Sequence, residues 1–473
     1  MSASLPDVVV GLTAPRESPL RVTTRDLPAA ADSLAASPPP VPGTATLPDE
    51  VPALVLADGP GTPATTPGAT SGATGDLLDV LAPTTGERLL RVEDTSPDLA
   101  RDIATAVAAT SRTDWAWLSA QDRARFLFAV SDVLAGHVRA LAVTAALTTG
   151  RPLAAGFTLD APAAHAAAFS AAGWADKLDS VGAAHRPGGG VVVLLTTWRT
   201  STADALSAVV AALATGCGVV LRARPAAAAT ARQFVRLFEE AGLPPGLVRS
   251  APGADAAADA ALWAHPDLVA VRADGSVDDL RSVGVALADR GTPLLQRPDA
   301  PHVDVVLEGA DLQAVTVALV EAAVGGAHER PGGSRVLAHR AVVDALVERA
   351  TPVVARLHTG HPLDRATAVG PVPTPHLARA AREVLDATAG LPAGLPAGGW
   401  WAPPGIATVG RHSAWPPPGP VLGVRSVRSA EDALTHLTGA GSVTVWGGEL
   451  GTEVPAPPDA RRDALDLLRA CRG

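Results

Sequence analysis

Side chains able to do covalent or metal chemistry are few in this sequence, and they are scattered. The two cysteines, Cys217 and Cys471, form neither a metal-ligand spacing nor a disulfide framework, a pattern expected of a reducing compartment. Cys217 opens an apolar run ending at Leu221 and reads as an inert buried thiol, while Cys471 reads as exposed on a terminal helix. His302, His328 and His412 read as separate loop residues without ligand spacing, so no metal site is expected. The run Pro187-Gly188-Gly189-Gly190 precedes an apolar strand instead of following one. It therefore reads as a linker into Val191, not as a loop that cradles phosphates. Arg123 and Arg125, beside Asp122, read as a solvated helix face.

The elements around these residues alternate in type. Apolar residues recur at helical spacing over Asp98–Ala109 and Ser119–Leu134, with Ser119 and Asp122 placed to cap the second helix. Strand-like runs at Val191–Leu195, Val219–Leu221, Leu268–Val271 and Val303–Leu307 then alternate with helical ones at Ala203–Ala214, Ala226–Ala241, Ala310–Ala323 and Ala341–Leu357. Such alternation predicts βαβ units and a mainly parallel sheet. Leu391–Pro404 reads as a surface loop and Ser442–Trp446 as a last strand. Residues 1–75 are dense in Pro, Ala, Thr and Gly and read as a mostly disordered tail, with one short strand near Leu54–Asp58.

With 473 residues, the chain can build two or three packed domains. Its net charge of −10, without a dense Lys/Arg cluster, argues against a nucleic-acid partner. No basic segment followed by an apolar run opens the chain, and alanine-rich stretches such as Ala203–Leu213 are too short to span a bilayer. A cytoplasmic protein with no membrane partner is expected.

A series of short motifs, in order and at matching spacing over residues 76–473, resembles the aldehyde dehydrogenase superfamily. Ala82-Pro83-Thr84-Thr85-Gly86-Glu87 is similar to the family's entry strand, and Thr149-Gly150-Arg151-Pro152 follows at the family's distance. Ala172-Gly173-Trp174-Ala175-Asp176-Lys177 is similar to the start of its oligomerisation hairpin. Ala214-Thr215-Gly216, Glu240-Ala241-Gly242-Leu243-Pro244 and Gly275-Ser276 match its nucleotide-binding half. Gly333-Ser334-Arg335, Gly419-Pro420-Val421 and Val443–Trp446 match the second half. The likeness is to actinobacterial-type members with an extended N-terminus.

The resemblance implies an α/β fold with two Rossmann-like three-layer domains and a β-hairpin oligomerisation arm. Residues 76–300 would form the dinucleotide-binding-type domain with the arm over 174–191, and 301–473 the catalytic-type domain. The chain ends where a further strand and a pocket loop are expected, so the second domain reads as C-terminally truncated. The resemblance also implies chemistry: a thiolate nucleophile, an Asn and a backbone N–H for the oxyanion, a Glu base, and a Lys and a Glu on the adenosine ribose. None of those side chains is present. Counting back from Arg335 puts Arg330 at the nucleophile, and a guanidinium stays protonated at any working pH. Arg199 follows Trp198 where the Asn belongs. The base falls on Leu295 or Arg297, depending on alignment, and no Glu lies between Val277 and Leu307. Arg222 and Pro225 replace the ribose Lys and Glu, and Pro416 replaces a second cofactor-binding Glu. Trp198, Arg222, Gly275 and Ser276 remain as a residual NAD or NADP site, with binding expected to be weak or lost.

Three functions follow from that reading. The leading one is a catalytically inactive homologue that acts as a binding or assembly partner of an active paralogue, or in a homo-oligomer. The second is an NAD(P)-dependent oxidoreductase acting on an aldehyde or oxo group with altered residues. The third is an anion or ligand sensor that uses Arg199 and Arg330 as a positively charged cleft, against which stands plain loss of selection at those positions.

Overall fold

In the computed structural model, residues 77–178, 189–330, 332–388, 395–448 and Leu450 are described. The expected N-terminal tail and its strand, most of the hairpin arm and the terminal helix with Cys471 lie outside them.

Two short antiparallel strands open the described chain, β1 (Leu77–Leu81) and β2 (Arg88–Glu93). The motif read as an entry strand is the turn between them, where Gly86 takes φ 77°. Helix α1 (Pro97–Thr110) follows, started by the Ser96 side chain and a proline in its first turn. Next come α2 (Ala120–Thr149) and α3 (Ala161–Ala175).

The first sheet and its helices are β3 (Val191–Thr196), α4 (Thr202–Ala214), β4 (Gly218–Ala223), α5 (Pro225–Glu240), β5 (Val248–Ser250), α6 (Ala256–Trp263), β6 (Leu268–Gly275), α7 (Val277–Ala288) and β7 (Leu294–Pro298). Its strands are all parallel, in the order β5-β4-β3-β6-β7. The chain builds outward from β3 on one side and returns through β6 on the other. The switch point therefore lies between β3 and β6, where open α/β sheets bind ligands at the carboxyl ends of their strands.

Helices cover both faces, so β3 as far as Leu195 and the first residues of β4 and β6 are apolar. Val192 and Leu194 pack with α4 and α5, while Val191, Val193 and Leu195 pack with α1, α6 and α7. Pairing period fixes the rest: Thr196 shares a face with Leu194, and Arg222 shares one with Val220.

Between Pro298 and His302 the chain passes to a second parallel sheet, ordered β10-β11-β9-β8-β12. Its parts are β8 (His302–Val306), α8 (Leu312–Glu329), β9 (Ser334–His339), α9 (Val343–Val354), α10 (Pro375–Thr388), β10 (Gly405–Thr408), β11 (Val421–Val427), α11 (Ala430–Leu434) and β12 (Ser442–Trp446). Two parallel α/β sheets agree with the expected fold class.

Four local expectations are corrected. Helix α2 runs to Thr149, well past Leu134, because Gly150 first supplies the left-handed stop at φ 82°. That makes α2 long and apolar enough, by length and composition alone, to cross a membrane; here it packs against α3, α4 and α5. Arg123 is not solvated: it is 1% exposed and donates to the carbonyls of Leu118 and Ala214, tying α2 to the end of α4. Trp174 belongs to α3, so the motif read as the start of the hairpin is the end of a helix. Finally, His302 starts β8 and His328 lies in α8, so neither is a loop residue.

Candidate functional site

The carboxyl ends of β3 and β6 open onto the switch point, and a Ser-x-x-Asp capping pair follows each. After β3, the Ser201 Oγ caps α4 by accepting from the Asp204 amide at 3.1 Å and donates to its carboxylate at 2.8 Å. After β6, Ser276 does the same for α7 with Asp279, at 3.2 and 2.7 Å. Thus the Gly275-Ser276 turn, read as a residual pyrophosphate cradle, carries its own internal acceptor. Asp278 and Asp279 both lie in the first turn of α7. A pyrophosphate approaching that end would meet two carboxylates before the helix dipole.

The crevice is filled by arginine–aspartate pairs. Arg199, at the expected oxyanion position, stacks over the Trp198 ring at 4.3 Å and forms an ion pair with Asp299. Arg297, one of the two alternatives for the base, forms an ion pair with Asp204. Leu295, the other alternative, is half-buried in β7 and packs on the first core. Arg272 and Asp274 lie buried between them, 3.4 Å apart. Burial alone would raise the Asp204 pKa, but Arg297, Arg272 and the Ser201 hydroxyl together hold it below the usual range. Asp299 goes the other way. Burial, with Asp274 and Asp279 nearby, outweighs Arg199 and pushes its carboxyl up from 3.8 to about 6.

Arg222 is completely buried on the α6 face of β4. Its Nε donates to Asp259 at 2.6 Å, and its terminal nitrogens donate to the carbonyls of Ala251, Pro252 and Asp255 at 3.2, 3.0 and 2.9 Å. Arg224 binds the same Asp259 carboxylate at 2.6 Å. Instead of reaching a ribose, Arg222 is consumed in joining β4 to α6. Pro225 is the first residue of α5, and Pro416 is buried in the loop before β11; neither offers a carboxylate acceptor. At these three positions no side chain is left to hold the adenosine ribose as the resemblance expects.

In the second domain, α8 is broken at Gly326 (φ 51°) and ends on Arg330. The Arg330 side chain does not point to solvent as a free cation. Its Nη1 lies 3.2 Å from Asp304 Oδ2 and 3.4 Å from Ser334 Oγ. Asp304 is 1% exposed and also accepts from the Trp446 indole N–H at 3.0 Å. The His302 ring completes the cluster, 2.7 Å from Ser442 Oγ through Nδ1 and 3.4 Å from Asp304 through Nε2. Burial opposes ionisation of Asp304, yet the His302 contact, the Arg330 charge and the Trp446 bond lower its pKa. Among the described residues, Cys217 forms no disulfide and is buried ahead of β4.

Sequence reasoning located all four arginines. It missed the four aspartates that hold them, since each is remote in sequence from its arginine, and the one local motif among them, the Ser201–Asp204 cap, points to a helix start and not to Arg297.

The sequence profile of the aldehyde dehydrogenase family matches residues 70–436, and the chain belongs to that family. Its fold is similar to an NAD-dependent aldehyde dehydrogenase from Sinorhizobium meliloti (23% identity, TM-score 0.71, covering 85% of this chain and 83% of that one). It is also similar to a gamma-glutamyl-gamma-aminobutyraldehyde dehydrogenase from Burkholderia cenocepacia J2315 (22%, 0.70, 85% of each chain). An indole-3-acetaldehyde dehydrogenase complexed with NAD+ matches likewise (22%, 0.72, 85% of each chain).

Proposed function

We propose that this protein is a catalytically inactive member of the aldehyde dehydrogenase family that acts as a binding or assembly partner, of an active paralogue or of its own copies. One observation carries the first half. At the positions expected to do the chemistry or to hold the cofactor ribose, Arg199, Arg330 and Arg222 each sit against an aspartate of the same chain. A guanidinium cannot attack a carbonyl, and one already neutralised by a carboxylate is poorly placed to stabilise an oxyanion. The same pairing weighs against the sensor reading, because Arg199 and Arg330 are not free cations awaiting an anion.

Support for the assembly half comes from the surface of α2 and α3. Phe128 and Phe169 meet edge to face at 5.2 Å, both partly exposed, with Phe157, Leu159 and Trp174 also exposed. An exposed aromatic pair of this kind commonly marks a contact with another chain. Turnover of short and aromatic aldehydes with NAD or NADP tests inactivity, and the expected result is no reduced cofactor above background. Light scattering on the isolated protein and affinity capture from the source cell test assembly. A strict monomer at high concentration that retains no family paralogue would refute it.

A further inference from the structure

The second sheet has two faces, and its arginines divide between them. Arg330 reaches Asp304 and Ser334 on one face. Arg335 follows Ser334 in β9 and so lies on the other, the face that carries Leu337, Val427 and Ala433. In the parallel register Arg335 pairs with Gly423 of β11, and Arg425 comes two residues further along the same face. Gly423 leaves the place between them bare, since the first carbon of any side chain there would meet Trp415 Cε3 at 2.8 Å. The Trp415 indole takes that place. The Arg425 guanidinium lies over the ring, 4.1 Å from its centroid, and that of Arg335 lies at 5.4 Å.

Neither guanidinium has a carboxylate among the described residues. Arg425 is 6% exposed; its Nη2 donates to the Ser413 carbonyl at 2.7 Å, its Nε has no partner, and no acceptor meets its Nη1. Arg335 is partly exposed, and its side chain makes no hydrogen bond or ion pair there. Asp432 of α11 is taken by Arg411 and Arg428, at 3.0 and 3.3 Å. Burial and the Arg425 charge hold Arg335 below its ordinary pKa, and burial and the Arg411 charge do the same to Arg425. The chain as a whole carries a net charge of −10, so this unneutralised pair is a local exception to it. A buried cation without a counter-charge is costly, and a second, accessible guanidinium beside it completes a fork for an oxyanion. Residues 411–414 next to the pair are exposed, which leaves a way in from solvent.

We propose that Arg335 and Arg425, held against Trp415 on the face of the second sheet away from Arg330, bind a phosphate-class oxyanion. Arg335 and the Nη1 of Arg425 are its donors, and the buried Nε is not. The site uses nothing from the cleft at Arg199 and Arg330, so it holds or fails separately from the inactive-homologue reading.

Calorimetric titration of inorganic phosphate into the full chain, at constant ionic strength in chloride, tests it with two variants. Arg335→Gln removes a donor. Arg340→Gln removes the same charge from an exposed residue just past β9. Wild type should bind phosphate saturably, R340Q should bind it equally well, and R335Q should bind at least about tenfold more weakly. Equal affinities in all three proteins, or an equal loss in both variants, would overturn the site, since either result would mean general attraction to positive charge. Binding of a short glutamate peptide that R335Q abolishes, with no binding of phosphate, would overturn it in favour of an acidic segment of a partner chain. Should R335Q not fold, wild type alone still decides: the phosphorus resonance of phosphate should broaden on titration with protein, and an unbroadened line at millimolar protein would overturn the proposal.

Discussion

Arg330 Nη1 lies 3.2 Å from Asp304 Oδ2, an ion pair in which the carboxylate is 2% exposed and the guanidinium 20%. Arg330 takes the position where the family's reaction needs its thiolate. Asp304 is a carboxylate inside a strand otherwise made of His and Val. A lone aspartate there would be costly, so charge at one position makes charge at the other tolerable.

That coupling gives the first prediction. Arg330→Cys restores the nucleophile atom but leaves Asp304 buried without its cation. The variant should lose about 3 kcal/mol of stability and show no aldehyde oxidation, because the base and ribose residues are still missing. Adding Asp304→Val should recover most of the stability and still no activity. Urea unfolding and a cofactor-reduction assay measure the two halves, and a stable, active single variant would contradict both.

The second prediction concerns the dinucleotide. Arg222 spends its donors on Asp259 and three carbonyls, and the amino end of α7 holds Asp278 and Asp279. Two lost acceptors, at Pro225 and Pro416, forfeit roughly 1–3 kcal/mol each. Calorimetry with NAD or NADP should therefore give a dissociation constant near or above about 1 mM. A low-micromolar value would show that the site closes around cofactor in some other way.

What the sequence showed depended on whether the deciding interaction was local. Strand β12 was legible at both ends, because Ser442–Trp446 is a short β-branched and aromatic run between glycines. The Ser119–Asp122 cap was legible for the same reason. Arg123 was not: beside Asp122 and Arg125 it looks like surface charge, and only tertiary packing turns it inward to the end of α4. In the site, arginines standing where the resemblance expects other residues could be read from motif spacing. Their partners could not, since Asp299 comes to Arg199 from the far end of β7 and Asp259 comes to Arg222 from the helix packed on its face. The Thr196 hydroxyl, buried without a hydrogen-bond partner, left no trace in sequence, because a threonine ending a strand is unremarkable until its neighbours are known.

The third prediction follows from Asp299, whose carboxyl is raised from 3.8 to about 6. Between those values the folded state keeps a proton that the unfolded state has released. Stability from this group is therefore full below about pH 4 and declines as pH rises through about 6, by up to about 3 kcal/mol. Asp299→Asn cannot titrate. Wild type and variant should match near pH 4 and diverge towards pH 7, with wild type the less stable. Parallel unfolding curves over that range would remove Asp299 as a titrating group.

The fourth prediction has the opposite sign. Burial, with Arg151 adding, lowers His328 from 6.5 to about 3, against the pull of its Nε2 bond to the Thr149 carbonyl at 2.9 Å. Below about pH 6.5 the unfolded chain takes up a proton that the folded imidazole refuses. Its contribution is thus full above pH 6.5 and lost as pH falls towards 3, by about 3 kcal/mol by pH 4. His328→Gln retains an N–H for Thr149 and removes the titration, so its acid limb between pH 6.5 and 4 should be flatter than wild type by that amount. In the wild type, Asp299 offsets part of this loss over the same interval, since protonation stabilises the fold at one site and opposes it at the other. The double variant should therefore show less pH dependence than H328Q and D299N differ from each other. Denaturant titrations of all four proteins at pH 4.5, 5.5 and 6.5 measure it, and an H328Q acid limb as steep as wild type would place the acid sensitivity elsewhere.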